Sequence, residues 1–449
     1  MVKYADRLGS APLTSLLVRL SLPGMASMVA TSVYNIVDTF WVARLGHEAI
    51  AALTIVFPYQ ILTIAVGIGT GVGMSALVSR RFGERNGEAA NRIAGQVFFL
   101  GLFWGLLFAL VARFGAGRII ASFGATPDIT DFAADYLVIT ACGAPLFIFS
   151  MLASQLIRGS GDALKPMVII GVASALNIVF DPLLIFGIGP FPELGIRGAA
   201  LATVMAQLCG AVLALFYLMG GRTAYRIRPA FVLPDWGQIR EIYRIGTPAS
   251  VQEMTESFAF VIFNRMLSGY GSVAIAAAGL TLRVADLMFM PIIGVSHALL
   301  PVVGYNLGAG NHARLWRAVK LCSLGLVLLL GGCTLLVEIF APQIVALFSR
   351  DPEVVSGTVP AMRIMLSTLV FIGPGVMAVA TFQGLGRGGT AFFLSLARQF
   401  LLFVPLVLLL RRLFGLTGVW LALPAADVLS LVLSLSFLLR ERGRLAGGR

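Results

Sequence analysis

Two carboxylates stand where the surrounding sequence is hydrocarbon: Asp38, in an apolar run from about Leu16 to Ala43, and Asp181, in another from about Pro166 to Gly187. A charged side chain deep in a bilayer costs several kcal/mol, so such a group faces a cavity, has a partner, or takes up a proton or cation. Tyr34 precedes Asp38 by four residues, and Asn177 precedes Asp181 by four, spacings that share a helix face. At 1.5 Å per residue, Asp38, Asp181, Tyr136 and Thr203 fall roughly 8 to 9 Å below one surface, with Tyr34 roughly 6 Å deeper than Asp38.

Two acids, an amide and hydroxyls at one depth form a hard-oxygen set. It suits Na+ at Asp38, Asn177, Asp181 and Thr203, or protons on acids too close and too dry to be ionised together. The residue types do not choose between the two ions. The plainer alternative is that Asn177 and Asp181 cap or kink a helix before Pro182 and that the tyrosines belong to an interfacial belt.

A second polar group is spread over Gln252, Glu253 and Glu256 on one apolar segment and Arg283 and Asp286 on the next. A structural Glu-Arg pair and a second cation or substrate site, with Asn35 as a further contact, both remain open. Arg398 and Asp427 are expected to pair with each other or to line a cleft.

Other chemistry is excluded or weak. Cys142, Cys209, Cys322 and Cys333 lie in apolar segments without CxxC spacing, and His47, His297 and His312 are scattered, so no disulfide framework or metal centre is read. No GxxxxGK[ST] run is present, which argues against ATP hydrolysis by this chain. The glycines of Arg158-Gly159-Ser160-Gly161-Asp162 and Gln383-Gly384-Leu385-Gly386-Arg387 lack a phosphate-binding context and read as tight turns.

The elements that hold these residues must be membrane helices. The 449 residues are 58% hydrophobic and 12% charged, against about 25% charged in soluble domains, and the mean hydropathy is +0.92. Runs long enough to cross roughly 30 Å of hydrocarbon fall near 16–43, 51–79, 93–113, 130–157, 166–187, 196–220, 245–268, 276–304, 316–340, 358–384, 391–412 and 416–439. No cleavable signal peptide is evident, and the first run reads as a mature helix. The net charge of +12 is read by its distribution rather than as nucleic-acid binding. Most of the basic residues, including Arg80, Arg81, Arg85, Arg240, Arg244, Arg314 and Arg317, fall on the side of both termini, which the positive-inside rule places in the cytoplasm.

One offset of 225 residues aligns landmarks of the two halves: Pro23 with Pro248, Gly46 with Gly271, Gly69 with Gly294, Gly83 with Gly308, Asn86 with Asn311 and Gly161 with Gly386. Residues of this kind at turns and kinks indicate a duplicated unit. The expected fold is therefore all-α and integral to the membrane, with twelve transmembrane helices in two six-helix lobes. The lobes are related by a pseudo-twofold axis along the membrane normal, with lobes at 1–220 and 245–449 and a cytoplasmic linker at 221–244. Such lobes can rock about a central cleft, the geometry of alternating access. The same offset puts Phe263 at the Asp38 position and Leu406 at the Asp181 position, so the lobes differ chemically.

Several of these stretches together resemble the multidrug and toxic compound extrusion (MATE) family. They are Leu22-Pro23 with Asn35 and Asp38, the Arg158–Asp162 turn, Asn177-Ile178-Val179-Phe180-Asp181-Pro182 through Gly187, Gly198 through Thr203, and Gln383–Arg387. The chain is similar to the DinF-like branch in particular. That resemblance implies a cation or proton site at Asp38, Asn177, Asp181, Thr203, Tyr34 and Tyr136, with Pro23 kinking the first helix as the site titrates. Glu256 falls where the NorM-like branch has a helix 7 glutamate, but Ile372 stands where that branch has an acidic partner.

The resemblance further implies a non-enzymatic antiporter in a cell (inner or plasma) membrane, acting as a monomer among lipids. It would export organic, cationic and amphipathic compounds against H+ or Na+, with no cofactor and no nucleic acid. The alternatives are a lipid-linked precursor flippase of the same superfamily, which needs a basic cleft, and an intramembrane enzyme, for which Asp38 with Asp181 is the one usable pair.

Overall fold

The computed structural model describes residues 3–221, 223–348 and 351–447, with side chains at all of these except 3, 4, 128, 256–258, 260, 261, 272 and 447. The first lobe contains α1 (Lys3–Ser10), α2 (Leu13–Ala43), α3 (His47–Gly83), α4 (Gly87–Ser122), α5 (Pro127–Cys142), α6 (Ala144–Gly159), α7 (Leu164–Phe186) and α8 (Ile196–Met219). The second contains α9 (Trp236–Leu267), α10 (Ser272–Gly308), α11 (His312–Phe348), α12 (Pro352–Leu366), α13 (Leu369–Gly384), α14 (Gly388–Leu396), a π-helical segment over Ala397–Phe403 and α15 (Val404–Gly447). No strand occurs among the described residues.

The twelve spans are present, two of them as broken rods. The runs near 130–157 and 358–384, read as single helices, are the pairs α5–α6 and α12–α13, bent by 49° and 44°. In the first, Gly143 sits at the break and Pro145 in the next turn removes a backbone donor. In the second, Ser367 and Thr368 interrupt the ladder, and the Ser367 hydroxyl bonds back to the Ile364 carbonyl at 2.8 Å. α15 is divided at Gly415, whose φ of 59° and ψ of −133° no helix accommodates. Gly195, at the start of α8, has nearly the same backbone, φ 56° and ψ −131°. α9 begins at Trp236, inside the stretch read as linker, and its first turns carry Arg240, Glu241 and Arg244.

α1 is an element that hydropathy does not reveal. Its Ala5 and Leu8 are buried, and they join the core of the second lobe together with Leu13, Leu16, Leu17 and Leu20 of α2. Asn306 Nδ2 donates to the Leu8 carbonyl at 3.1 Å, and Arg314 Nε donates to it at 3.2 Å. α1 is thereby fastened to the opposite lobe.

The lobes meet where glycines let backbones touch. A Cβ on Gly83 would lie 2.0 Å from the Tyr305 carbonyl oxygen, and one on Gly308 would lie 2.1 Å from that of Arg80. Both members of one contact map onto the other by the 225 offset, so the seam is itself twofold. Gly69 packs on Gly246, and Gly24 on Gly294, in the same manner. Arg81 adds an ion pair to Glu241 across the seam at 3.0 Å. These contacts close the lobes over the side that carries α1, the start of α9 and the end of α15. Beyond them, Asn35 of α2 and Arg283 and Asp286 of α10 are exposed.

Candidate functional site

α2 and α7 pack side by side and bring their acids together. Asp38 is 9% exposed, while Asp181, Asn177 and Tyr136 are buried; Tyr34 and Thr203 are partly exposed. Asn177 Nδ2 donates to Asp181 Oδ1 and to Thr203 Oγ1, each at a long 3.4 Å, and the Thr203 hydroxyl donates to the Ala199 carbonyl at 3.1 Å. The field of Asp38 reaches Asp181, Tyr34 and Tyr136, so the six residues singled out from the sequence lie near one another, on α2, α5, α7 and α8. Gln60, on α3, lies beside the Tyr136 hydroxyl and is not marked by the sequence, because a lone glutamine in an apolar run carries no spacing signal.

The two acids are short of donors among the described residues. Neither Asp38 nor Asp181 is in a salt bridge among the described residues, and Asp38 Oδ1, Asp181 Oδ2 and Asn177 Oδ1 are buried without a hydrogen-bond partner. Buried acceptors left unpaired cost roughly 1–3 kcal/mol each, more when charged. A proton would turn one carboxylate oxygen into a donor; a monovalent hard cation would be coordinated by several of these oxygens at once. No group of three or more His, Cys, Asp or Glu suited to a metal ion occurs among the described residues.

Pro23 lies about 22 Å further along α2 at 1.5 Å per residue, beside the seam. The Ser27 hydroxyl bonds to the Pro23 carbonyl at 2.8 Å, and the next residue, Gly24, touches Gly294. The helix that carries Asp38 at one end therefore carries an inter-lobe contact at the other.

In the second lobe the equivalent space is filled with hydrocarbon. Phe263, at the Asp38 position, packs on Phe403 with centroids 5.9 Å apart and on Trp420 at 6.3 Å. The residue matching Asp181 is Val407 rather than Leu406: Gly198 abuts the Leu184 carbonyl as Gly418 abuts that of Leu410, and the offset there is 226. The π-helical turn at Ala397–Phe403 supplies the extra residue, as a π-bulge does.

The remaining polar residues are not assembled in that way. Gln252 is partly buried, its Oε1 without a partner among the described residues, and Glu253 is partly buried. The Glu256 side chain lies outside the described residues. Arg283 and Asp286 are exposed on α10, and no ion pair joins them. Arg398 and Asp427 do pair, at 2.8 Å, with Asp427 accepting from Thr368 at 3.5 Å. They border a cavity of about 60 Å³ that also meets Gln252, Gln399 and Phe371.

A two-lobe bundle of twelve spans, with an acidic pocket in one lobe and a seam that closes one face, defines a multi-pass membrane transporter of the rocking type. The MatE family model matches the chain twice, over residues 23–183 and 248–409, and its two matches begin at Pro23 and Pro248. The chain is 30% identical to a FAD transporter of Shewanella oneidensis over 94% of each chain. It is 26% identical to the multidrug export protein MepA of Staphylococcus aureus over 96% of this chain and 95% of that one. A solved multidrug resistance MATE family transporter in an outward-facing conformation superposes with a TM-score of 0.90 at 27% identity, covering 98% of each chain. The chain thus belongs to the MatE family, whose members are transporters and not enzymes.

Proposed function

We propose that this chain is a secondary antiporter that exports organic compounds in exchange for H+ or Na+, with Asp38 and Asp181 as the coupling acids. The observation that carries the reading is the trio of buried, unpaired oxygens on Asp38, Asn177 and Asp181, an arrangement stable only while a proton or cation visits it. Occupancy lets the two acids approach and α2 straighten or bend about Pro23. Because Gly24 touches Gly294, that bend acts on the seam and exchanges the open face of the cleft. This N-lobe chemistry supports the DinF-like reading. The basic residues support cytoplasmic termini in a cell membrane, and the repeat supports lobes at 1–220 and 245–449.

The relatives differ in cargo: MepA is named for multidrug export and the Shewanella relative for FAD. Cationic amphipathic compounds follow from the acidic pocket. A second reading, an anionic organic substrate, is favoured by Arg283. It lies three helical turns from Gly294 on the face of α10 that meets α2, is exposed and has no ion-pair partner among the described residues. Dye and flavin-nucleotide export from vesicles under an imposed pH or Na+ gradient tests both. Gradient-driven export that survives Asp38→Asn and Asp181→Asn unchanged would remove the coupling assignment.

A further inference from the structure

The seam holds a positive charge that no carboxylate answers among the described residues. Arg158, in the last turn of α6, is 6% exposed. Its Nη1 meets Gln155 Oε1 at 3.4 Å in its own lobe and Nδ1 of His297, on α10 of the other lobe, at 3.2 Å. Its Nε and Nη2 are buried without partners. Enclosing a guanidinium in this way is unfavourable, so the glycine contacts on either side must hold it there. The repeat-related positions are Val72 and Gln383, so the other half of the seam closes with no such charge and the pair is not a requirement of the fold.

The contact dictates the state of the imidazole. A guanidinium only donates, so Nδ1 of His297 is the acceptor, the ring hydrogen sits on Nε2, and the ring is neutral. Protonation would set N–H against N–H and place two cations 3.2 Å apart. The charges on the helices packed around His297 point to other partners or to the surface. On α3, Arg80 pairs with Glu84, and Arg81 with Glu84 and with Glu241 of α9. On α1, Asp6 takes the Tyr305 hydroxyl; on α11, Arg314 donates to the Leu8 and Ala11 carbonyls. On α2, Arg19 is exposed, and α13 carries no charged residue. Arg158 is the charge whose field acts on His297, and His297 is partly exposed, so protons can reach it.

We propose that His297 is a proton-binding site that governs lobe closure: neutral, it accepts Arg158 and the seam shuts; protonated, it repels Arg158 and the seam parts. The open seam alone accommodates the proton. Below an imidazole's ordinary value of about 6.5, the ratio of open to closed therefore rises roughly tenfold per pH unit. This inference rests on the alternating-access reading, yet its test needs neither substrate nor gradient.

Spin labels on Glu88→Cys of α4 and Ala313→Cys of α11, both exposed near the seam, in a background without the four native cysteines, report lobe separation in nanodiscs from pH 8 to pH 5. The expected result is a long-distance population that grows with acid in the parent. It should be absent in His297→Gln and strongly reduced in Arg158→Gln, which serves if the histidine variant misfolds. The same acid response is expected when Asp38→Asn and Asp181→Asn are present. A response that persists in His297→Gln, or that vanishes with the two aspartate substitutions, overturns the assignment. So does a parent distance indifferent to pH. Loss of transport in the aspartate variants alone bears only on the coupling reading.

Discussion

Gly83 and Gly308 determine how near the lobes come, and a single methyl at either should shift the conformational balance by a calculable amount. A Cβ at Gly83 would stand 2.0 Å from the Tyr305 oxygen and 2.9 Å from the Ala309 nitrogen, both backbone atoms that cannot rotate aside. Ordinary contact begins near 3.4 Å, so Gly83→Ala requires the helices to separate locally by about 1.4 Å. Overpacking of this kind costs about 1–3 kcal/mol, and it falls on the closed seam alone because the open one has no opposing backbone. The open-to-closed ratio should then rise about 5- to 150-fold. Gly308→Ala, 2.1 Å from the Arg80 oxygen, should do the same by symmetry. Gly332→Ala, with nothing within 4 Å, is the control. Alkylation of a cysteine placed in the seam from the side of the termini, with transport measured in parallel, reads the shift. Wild-type labelling and transport in both seam variants would refute the view that this seam opens during the cycle.

Asp38→Asn and Asp181→Asn should leave thermal stability unchanged or raise it by about 1 kcal/mol, since each removes an unpaired buried acid while export is lost; a large fall in melting temperature would mean the acids are structural. Phe263→Ala should cost about 3–5 kcal/mol, because its ring fills the centre of the cluster with Phe403 and Trp420; thermal denaturation in detergent checks it, and a change below 1 kcal/mol would contradict the packing. Tyr225, fully buried in the segment between the lobes, donates to the Leu156 carbonyl at 2.5 Å, and burial raises its hydroxyl well above the ordinary tyrosine value. Its contribution is therefore complete below about pH 10 and lost above it. Tyr225→Phe should lower stability by about 1 kcal/mol at pH 8 and narrow the loss between pH 8 and 10.5; an equal loss in both proteins would exclude Tyr225 as its source.

The spans were legible because bilayer thickness fixes their length and hydrocarbon their composition. The breaks were not: Gly143 and Thr368 bend their helices without interrupting the apolar run, so composition passes across them. α1 escaped notice because its sequence is mixed and, among its described side chains, only Ala5 and Leu8 are buried. The acidic pocket could be read because carboxylates in apolar runs are conspicuous and depth follows from counting. Gln60 could not, since only tertiary packing brings it to Tyr136. The single offset placed Leu406 opposite Asp181 because a π-helical turn inserts one residue without leaving a mark in hydropathy. Arg158 looked like a loop residue at the membrane edge; its contact with His297 joins positions 139 apart, beyond any local pattern.

The central claim is that ion occupancy of the Asp38–Asp181 pocket drives transport. In proteoliposomes holding purified protein and a trapped pH or Na+ indicator, an outward substrate gradient should pull the coupling ion inward against its own gradient. Asp38→Asn and Asp181→Asn should each abolish that ion flux. Substrate movement with no accompanying ion flux in the unmodified protein, or full ion flux in either variant, would contradict the account.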